Sequence, residues 1–334
     1  MPIDMHAHFV PARVLQELQA HPHAFSEIAL AERGTEGVCV QFPGEPWTRP
    51  VSSGLLDMAQ RATWMQEQGV THQCLAGWVD LFGYGLSPRQ GADWCRLLND
   101  QLAQAIGDEA RYVGVGTVPL QDATRAATEL ARVVTELRLP AVMIATQIAG
   151  TDLDDPRFDP FWARAAELQV PVLLHPGYAG AEERLGTYGL VNAVGRASET
   201  TLAIARMIFG GVFERHPRLI VVLVHGGGFL PYQLGRLQRA YEIGTFERSP
   251  RRDPRNIVPQ LYYDSVVFQP ETLRFLVQQV GAQHVVLGSD YPFPIGDLTP
   301  LKVVYEAHLG PETTEAIFDR TAMALLGRTG RNWP

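Results

Sequence analysis

Short apolar segments alternate with helical segments along the whole chain, and this alternation constrains the fold more than any other feature of the sequence. Segments such as Leu219–Val224 are apolar at consecutive positions, which is typical of parallel strands covered by helices on both faces. Eight such units predict a closed (β/α)8 barrel, the TIM-barrel form of the α/β class, with a doubly wound open sheet as the alternative. The predicted strands are Ile3–Phe9, Gln73–Trp78, Tyr112–Pro119, Ala141–Ile148, Val170–His175, Leu219–His225, Leu261–Val267 and His284–Ser289.

The length of the chain fits one barrel with extra loops. A (β/α)8 barrel needs about 250 residues, and the chain has 334, so we expect a single domain over residues 1–334. Alternating residues at Val38–Phe42, followed by a Pro-Gly-Glu-Pro turn, predict a small β insertion after the first strand, at about residues 34–54. No Gly-x-Gly-x-x-Gly or P-loop pattern indicates a nucleotide site.

Composition narrows the range of partners. The formal net charge of -8 gives no support to nucleic-acid binding, which needs a basic surface. No apolar run approaches the roughly 20 residues that span a bilayer, and a strand beginning at Ile3 leaves no room for a signal peptide. The cysteines Cys39, Cys74 and Cys95 are odd in number and form no Cys-x-x-Cys pair. We therefore expect a cytoplasmic protein whose partner is a small molecule rather than nucleic acid or membrane.

Ligand-type side chains end several of the predicted strands. His6 and His8 stand two residues apart, so their imidazoles leave the first strand on the same face. His175, His225 and Asp290 end the fifth, sixth and eighth predicted strands. Because the carboxyl ends of all barrel strands meet at one mouth, these five side chains should lie close together. Histidines and a carboxylate in one place predict a site for a divalent transition metal.

Three motifs make a family resemblance specific. They are the His-x-His of the first strand, His225-Gly226-Gly227-Gly228, and the Gly-Ser-Asp-Tyr-Pro-Phe segment at residues 288–293. With these motifs the chain resembles the metal-dependent amidohydrolase superfamily, and within it the decarboxylases typified by 2-amino-3-carboxymuconate 6-semialdehyde decarboxylase. The resemblance implies one Zn²⁺ per chain, held by His6, His8, His175 and Asp290. It implies an acid/base role for His225. It also implies that Arg49 and Arg236 bind substrate carboxylate, and that Arg236 is donated by the neighbouring subunit of a homodimer.

The position of the single lysine bears on the number of metal ions. Binuclear members of the superfamily bridge two metals with a carbamylated lysine at the end of strand four, where this chain has Thr146-Gln147-Ile148. Lys302 is the only lysine in the sequence and lies beyond the eighth predicted strand. The sequence therefore predicts a mononuclear site, for which Zn²⁺ is suitable and Mn²⁺ or Fe²⁺ are also possible.

The resemblance implies a carboxy-lyase that removes CO₂ without oxidation from an unsaturated or aromatic carboxylic acid, such as an aminocarboxymuconate semialdehyde. In this hypothesis His225 transfers a proton, Asp290 ligates the metal and assists the transfer, and Trp78 and Phe293 are walls of the substrate pocket. Gly177 stands where the decarboxylase that the chain resembles has a tryptophan, so the exact substrate stays open.

The sequence alone leaves several alternatives open. His225 could be a fifth ligand, and Arg49 and Arg236 could be solvated surface residues. The same metal site could also serve a hydrolase of C–C, ester or lactone bonds, or a hydratase of an aromatic-degradation intermediate. A metal-binding barrel without catalysis is a further alternative.

Overall fold

The computed structural model describes residues 1–34, 37–177, 183–244 and 253–330, and a parallel barrel sheet forms its centre. Eight strands follow one another in the sheet in the order β1-β4-β5-β6-β9-β10-β11-β12, and each adjacent pair is parallel. The prediction of a (β/α)8 barrel is confirmed. The strands of this sheet are β1 (Ile3–His8), β4 (His72–Ala76), β5 (Tyr112–Gly116), β6 (Ala141–Ala145), β9 (Pro171–His175), β10 (Ile220–Leu223), β11 (Leu261–Asp264) and β12 (Val285–Val286).

Hydrogen bonds between β1 and the segment after β12 close the barrel. The backbone N–H of Met5 donates to the carbonyl of Leu287 at 2.8 Å, and the N–H of His8 donates to that of Tyr291 at 2.7 Å. In the other direction the N–H of Asp290 donates to the carbonyl of His6 at 2.8 Å. This closure places the residues after β12 directly beside the His-x-His strand.

Helices follow the barrel strands, and two of them begin at an aspartate that caps the first turn. The Asp57 carboxylate accepts from the N–H groups of Ala59 and Gln60 at the start of the helix Met58–Gln68. Asp122 caps the helix Ala123–Thr135 in the same way. The helices are α1 (Ala12–Ala20), α2 (Ser53–Leu56), α3 (Met58–Gln68), α4 (Pro88–Ile106), α5 (Ala123–Thr135), α6 (Asp159–Leu168), α7 (Arg196–Phe209), α8 (Val212–Arg215), α9 (Leu230–Ile243), α10 (Pro270–Val280), α11 (Pro300–Glu306), α12 (Pro311–Glu315) and α13 (Thr321–Leu326). No helix within the described ranges is both long and apolar enough to cross a membrane.

Two small antiparallel pairs lie outside the barrel. The strands β2 (Ala29–Glu32) and β3 (Val38–Gln41) pair after α1. This antiparallel pair begins at Ala29, earlier than residue 34, at which the amino-acid sequence places the start of the insertion. The strands β7 (Gln147–Ile148) and β8 (Thr151–Asp152) form the other pair. The predicted strand Ala141–Ile148 is therefore too long, because its last residues turn away from the barrel into this hairpin.

A network of buried polar side chains links β1 and β4 to the segment after β12. The Arg61 guanidinium donates to Gln73 Oε1 at 2.8 Å, and Gln73 Nε2 donates to Asp4 Oδ2 at 2.8 Å. The Ser289 hydroxyl donates to the same Asp4 oxygen at 2.5 Å. Burial raises the pKa of Asp4 from 3.8 to about 6, although the hydrogen bonds from Ser289 and Gln73 oppose that shift. This hydrogen-bonded network thus fixes residues on both sides of the barrel closure.

Candidate metal centre and active site

Four buried side chains converge at the mouth of the barrel. They are His6, His8, His175 and Asp290, and each presents one ligand atom within 4.8 Å of the others. The two histidines of β1 point to one face because side chains alternate along a strand, and their Nε2 atoms lie 3.2 Å apart. The sequence prediction that these four residues come together is therefore met by the geometry.

The Nδ1 atoms of the three histidines are held by acceptors. His6 Nδ1 lies 2.6 Å from Asp264 Oδ2, and His8 Nδ1 lies 3.1 Å from the Gly77 carbonyl. His175 Nδ1 lies 2.9 Å from the Pro176 carbonyl. A ring that donates at Nδ1 keeps a lone pair at Nε2, which is the form that ligates a metal.

Two of the four ligand atoms lack hydrogen-bond partners. Within the described residues, His175 Nε2 and Asp290 Oδ1 are buried and accept no hydrogen bond. Asp290 Oδ1 lies only 3.3 Å from His6 Nε2 and 3.1 Å from His8 Nε2. Lone pairs that face one another in a buried space are costly unless a cation lies between them. Three imidazole nitrogens and a carboxylate oxygen fit a divalent transition metal at this point.

The electrostatics of three of the four groups favour the same conclusion. For His6, burial acts to lower the pKa, but the carboxylates of Asp290, Asp264 and Asp4 together raise it above its ordinary value. Burial lowers the pKa of His175 well below its ordinary value, and burial also lowers that of His8. For Asp290, burial acts to raise the pKa, but His6, His225 and His8 together bring it well below the ordinary value. Neutral imidazoles beside an ionised carboxylate are the protonation states that metal binding requires.

His225 differs from the four convergent residues. It follows β10 with a φ of 54°, and its Nε2 lies 3.4 Å from Asp290 Oδ2, the oxygen that faces away from the histidine pair. Its side chain is 20% exposed, whereas those of His6 and His8 are buried. His225 therefore borders the open space in front of the cluster rather than completing it.

The turn after His225 depends on glycine and on Asp264. Gly226 has a φ of 61°, and a Cβ added there would lie 2.4 Å from Val267 Cγ1. The N–H of Gly226 donates to Asp264 Oδ1 at 2.7 Å. Asp264 thus holds His6 with one oxygen and the turn that carries His225 with the other.

A cavity of 350 Å³ lies over the cluster and is lined by His175, His225 and Asp290 on its inner side. Trp78 and Phe293, which the sequence predicts to be walls of the substrate pocket, line this cavity. The Arg49 guanidinium carbon lies 5.4 Å from the ring centroid of each of these two residues.

Arg49 and Arg236 have different positions relative to this cavity. Arg49 lines it with a side chain that is 58% exposed and lies 3.6 Å from Asp80. Arg236 is exposed on α9 and does not line the cavity of its own chain. The structure of one chain therefore brings Arg49 to the site but not Arg236.

Sequence reasoning missed two residues of the site. Asp264 ends β11 as Asp290 follows β12, so its position at a strand end was a usable signal. Arg196 begins α7, and its side chain lines the cavity. Nothing in the local pattern distinguishes Arg196 from the other arginines of the chain, because it follows the π-helical turn Val191–Gly195 rather than a strand.

The fold and the cluster are those of a metal-dependent barrel hydrolase or lyase, and comparison with known proteins defines the family. The family model described as amidohydrolase matches residues 3–328, so the chain belongs to the amidohydrolase family. The resemblance predicted from the sequence is confirmed.

The chain is also similar to particular decarboxylases. It is 34% identical over 283 residues to 2-amino-3-carboxymuconate-6-semialdehyde decarboxylase of Dictyostelium discoideum, covering 84% of this chain and 79% of that protein. It is 31% identical over 225 residues to gamma-resorcylate decarboxylase of Rhodococcus jostii strain RHA1, covering 60% of this chain and 67% of that protein.

A solved structure has the same fold. The crystal structure of 5-carboxyvanillate decarboxylase from Sphingomonas paucimobilis superposes with a TM-score of 0.82 at 24% identity, covering 97% of this chain and 98% of that one. A structure of a dihydroxybenzoic acid decarboxylase from Polaromonas sp. JS666, described with bound manganese, has a TM-score of 0.78 at 20% identity over 99% of this chain and 98% of that one.

Proposed function

We propose that the protein is a mononuclear metal-dependent decarboxylase that removes CO₂ without oxidation from an unsaturated or aromatic carboxylic acid. The observation that carries the proposal is the pair of buried ligand atoms without partners, His175 Nε2 and Asp290 Oδ1, beside His225, which lies outside the four-residue cluster in a cavity with aromatic walls. Relatives that are named as decarboxylases of such acids support the reaction class.

The metal would be held by His6, His8, His175 and Asp290, and we propose Zn²⁺, with Mn²⁺ or Fe²⁺ as the alternatives. When bound, the ion supplies Lewis-acid polarisation of the substrate oxygens and neutralises their charge. A single ion is favoured because buried Thr146 directly follows β6, where binuclear relatives carry lysine. Lys302 lies on α11 and pairs with Glu306 at 3.9 Å.

The chain's own residues would carry out the proton transfer. His225 delivers a proton to the carbon that bears the carboxylate, and Asp290 Oδ2 orients the imidazole that holds this proton. The C–C bond to the carboxylate then breaks, its electron pair restores the conjugated system, and CO₂ leaves. His225 recovers its proton from water. Trp78 and Phe293 would hold the plane of the substrate against the cavity wall.

Arg49 would bind a carboxylate of the substrate through paired hydrogen bonds from its guanidinium. We also propose a homodimer in which the partner subunit donates Arg236 to the same cavity. This part of the proposal is supported by the exposure of Phe229 and Tyr232 near the start of α9 and by the absence of any ion pair of Arg236 among the described residues. The three cysteines, buried and free of disulfides, agree with a cytoplasmic location.

A product assay in D₂O tests the reaction. Metal-loaded protein would be incubated with a panel of phenolic and muconate-type acids, and the products examined by mass spectrometry together with CO₂ release. Decarboxylation predicts loss of one CO₂ and gain of one solvent deuterium at the carbon that carried it. A product that keeps every carbon atom and gains water would instead identify a hydratase or hydrolase and overturn the proposal.

A further inference from the structure

Arg196 reaches the candidate active site from the start of α7. Its Nε donates to Asn192 Oδ1 at 2.8 Å, and its Nη1 donates to the Pro176 carbonyl at 2.7 Å and to that of Gly177 at 3.3 Å. These three bonds fix the guanidinium at one place in the cavity that also contains His225. Such a pre-positioned guanidinium needs little further ordering to bind an anion through its remaining N–H groups at Nη2.

Arg196 has no direct counter-ion among the described residues, although the carboxylates of Asp80 and Asp290 act on its charge at longer range. Within the described residues it forms no ion pair, and its Nη2 donates no hydrogen bond. Burial lowers the pKa of Arg196, and nearby Arg49 lowers it further against the opposing effects of Asp80 and Asp290. The group nevertheless remains a cation, because a guanidinium is not deprotonated in proteins. A partly buried cation without a direct counter-ion is most easily explained by an anion that arrives with the ligand.

Arg196 and Arg49 stand where two cavities meet. Both side chains line the 350 Å³ cavity over the metal cluster, and both also line a neighbouring cavity of 530 Å³. The second cavity is lined by Gln147 and by the carboxylates of Glu45, Asp80 and Glu199, and Arg49 and Arg196 are the cations among its described lining residues. A substrate whose reacting end lies at the metal cluster would therefore extend its far end between the two guanidiniums.

We propose that Arg196 is a specificity-determining residue that binds a second acidic group of the substrate, so that dicarboxylic acids are preferred to monocarboxylic acids. The proposal rests on the proposed function in one respect: the first acidic group is the one that reacts at the metal cluster. It differs from the expectation for Arg236 because the cation comes from the same chain as the metal ligands.

A purely structural role for Arg196 makes a different prediction. The Pro176 carbonyl accepts from both Arg196 Nη1 and His175 Nδ1. If Arg196 served only to hold this carbonyl, its removal would disturb His175, weaken metal binding and affect every acidic ligand equally. Selectivity between one and two carboxylates therefore separates the two roles.

The test is equilibrium binding of benzoate, phthalate, isophthalate and terephthalate to Mn²⁺-loaded protein by calorimetry, with metal content measured for each sample. We expect the wild type to prefer at least one dicarboxylate to benzoate. Arg196→Met should weaken that dicarboxylate by about 10- to 100-fold while changing benzoate affinity less than about threefold. Arg196→Lys should restore part of the preference. Arg206→Met, which removes an arginine of the same helix that pairs with Asp152 and Asp154, should change neither affinity.

Two results would overturn the proposal. The first is equal affinity of the wild type for benzoate and all three dicarboxylates, including no detectable binding of any of them. The second is that Arg196→Met loses metal and loses affinity equally for benzoate and the dicarboxylates. Binding selectivity does not depend on turnover. If the protein shows this binding selectivity but releases no CO₂ from any acid of the product assay, the decarboxylase proposal is refuted. The proposed role of Arg196 in binding is then unaffected.

Discussion

His6 Nδ1 and Asp264 Oδ2 lie 2.6 Å apart, and both side chains are buried. The same carboxylate accepts from the N–H of Gly226 with its other oxygen, so one residue orients a candidate metal ligand and the turn that presents His225. Carboxylates in this position fix the orientation of a ligating histidine and raise its basicity. Asp264 thus links the candidate metal centre to His225, the residue proposed to transfer the proton.

Asp264→Asn tests this coupling. An amide can accept from His6 or from Gly226 but cannot reproduce both acceptor oxygens, so we expect metal affinity to fall by about 10- to 100-fold. The rate of CO₂ release at saturating metal should fall as well, because the turn bearing His225 loses its acceptor. Competition with a chromophoric chelator measures the affinity. Asp159→Asn, a change at a surface carboxylate that pairs with Arg215, is the control, and equal effects of the two substitutions would refute the coupling.

His225→Asn and His175→Asn should separate proton transfer from metal binding. We expect His225→Asn to retain the metal and to lose activity by about 10²- to 10⁴-fold, because a general acid is removed. His175→Asn should lose both metal and activity. Elemental analysis of the two purified variants, together with turnover, makes the comparison. Metal loss in His225→Asn equal to that in His175→Asn would identify His225 as a fifth ligand.

The buried Asp4 predicts a pH dependence of stability in the metal-free protein. Its folded pKa of about 6 exceeds the ordinary value of 3.8, so folding favours the protonated form. This contribution to stability is complete below about pH 4 and is lost as the pH rises through 6, a change of about 3 kcal/mol at 1.36 kcal/mol per pKa unit. Asp4→Asn lacks this titration. Its cost, measured by urea unfolding, should therefore be smaller at pH 7.5 than at pH 4.5, and a larger cost at pH 7.5 would contradict the assignment.

Subunit complementation tests the proposed homodimer. Arg236→Met and His225→Asn should each be inactive alone, but a mixed dimer has one site with the intact His225 of one subunit and the intact Arg236 of its partner. Random reassociation should restore about a quarter of the sites. Light scattering establishes the oligomeric state of each sample. A dimer that shows no recovery after verified subunit exchange would place the role of Arg236 elsewhere.

The sequence predicted most of the metal cluster because the positions of these residues follow from the topology of the barrel. Apolar runs identify the barrel strands, and parallel strands bring their carboxyl ends together, so His6, His175 and Asp290 had to meet. The predicted strands nevertheless extended too far. His225 and Asp290 lie beyond the regular strands with φ values of 54° and 59°, which a hydropathy pattern does not reveal.

The remaining parts of the site depend on contacts that no local pattern encodes. Asp264 reaches His6 across 258 residues of sequence, and that hydrogen bond exists only once the barrel closes. Arg196 is placed by the carbonyls of Pro176 and Gly177, which lie 20 and 19 residues earlier at the start of the same connection between β9 and α7. Arg236 would need a second subunit to reach a site. Each is a property of the tertiary or quaternary structure.

The most direct test of the account is titration of the metal-free protein with Zn²⁺ or Mn²⁺ while the release of CO₂ from an active substrate is followed. One metal bound by His6, His8, His175 and Asp290 predicts no activity without metal and a linear rise that ends at one equivalent per chain. Activity that persists after complete metal removal, or that rises to two equivalents per chain, would contradict the mononuclear metal-dependent decarboxylase proposed for this protein.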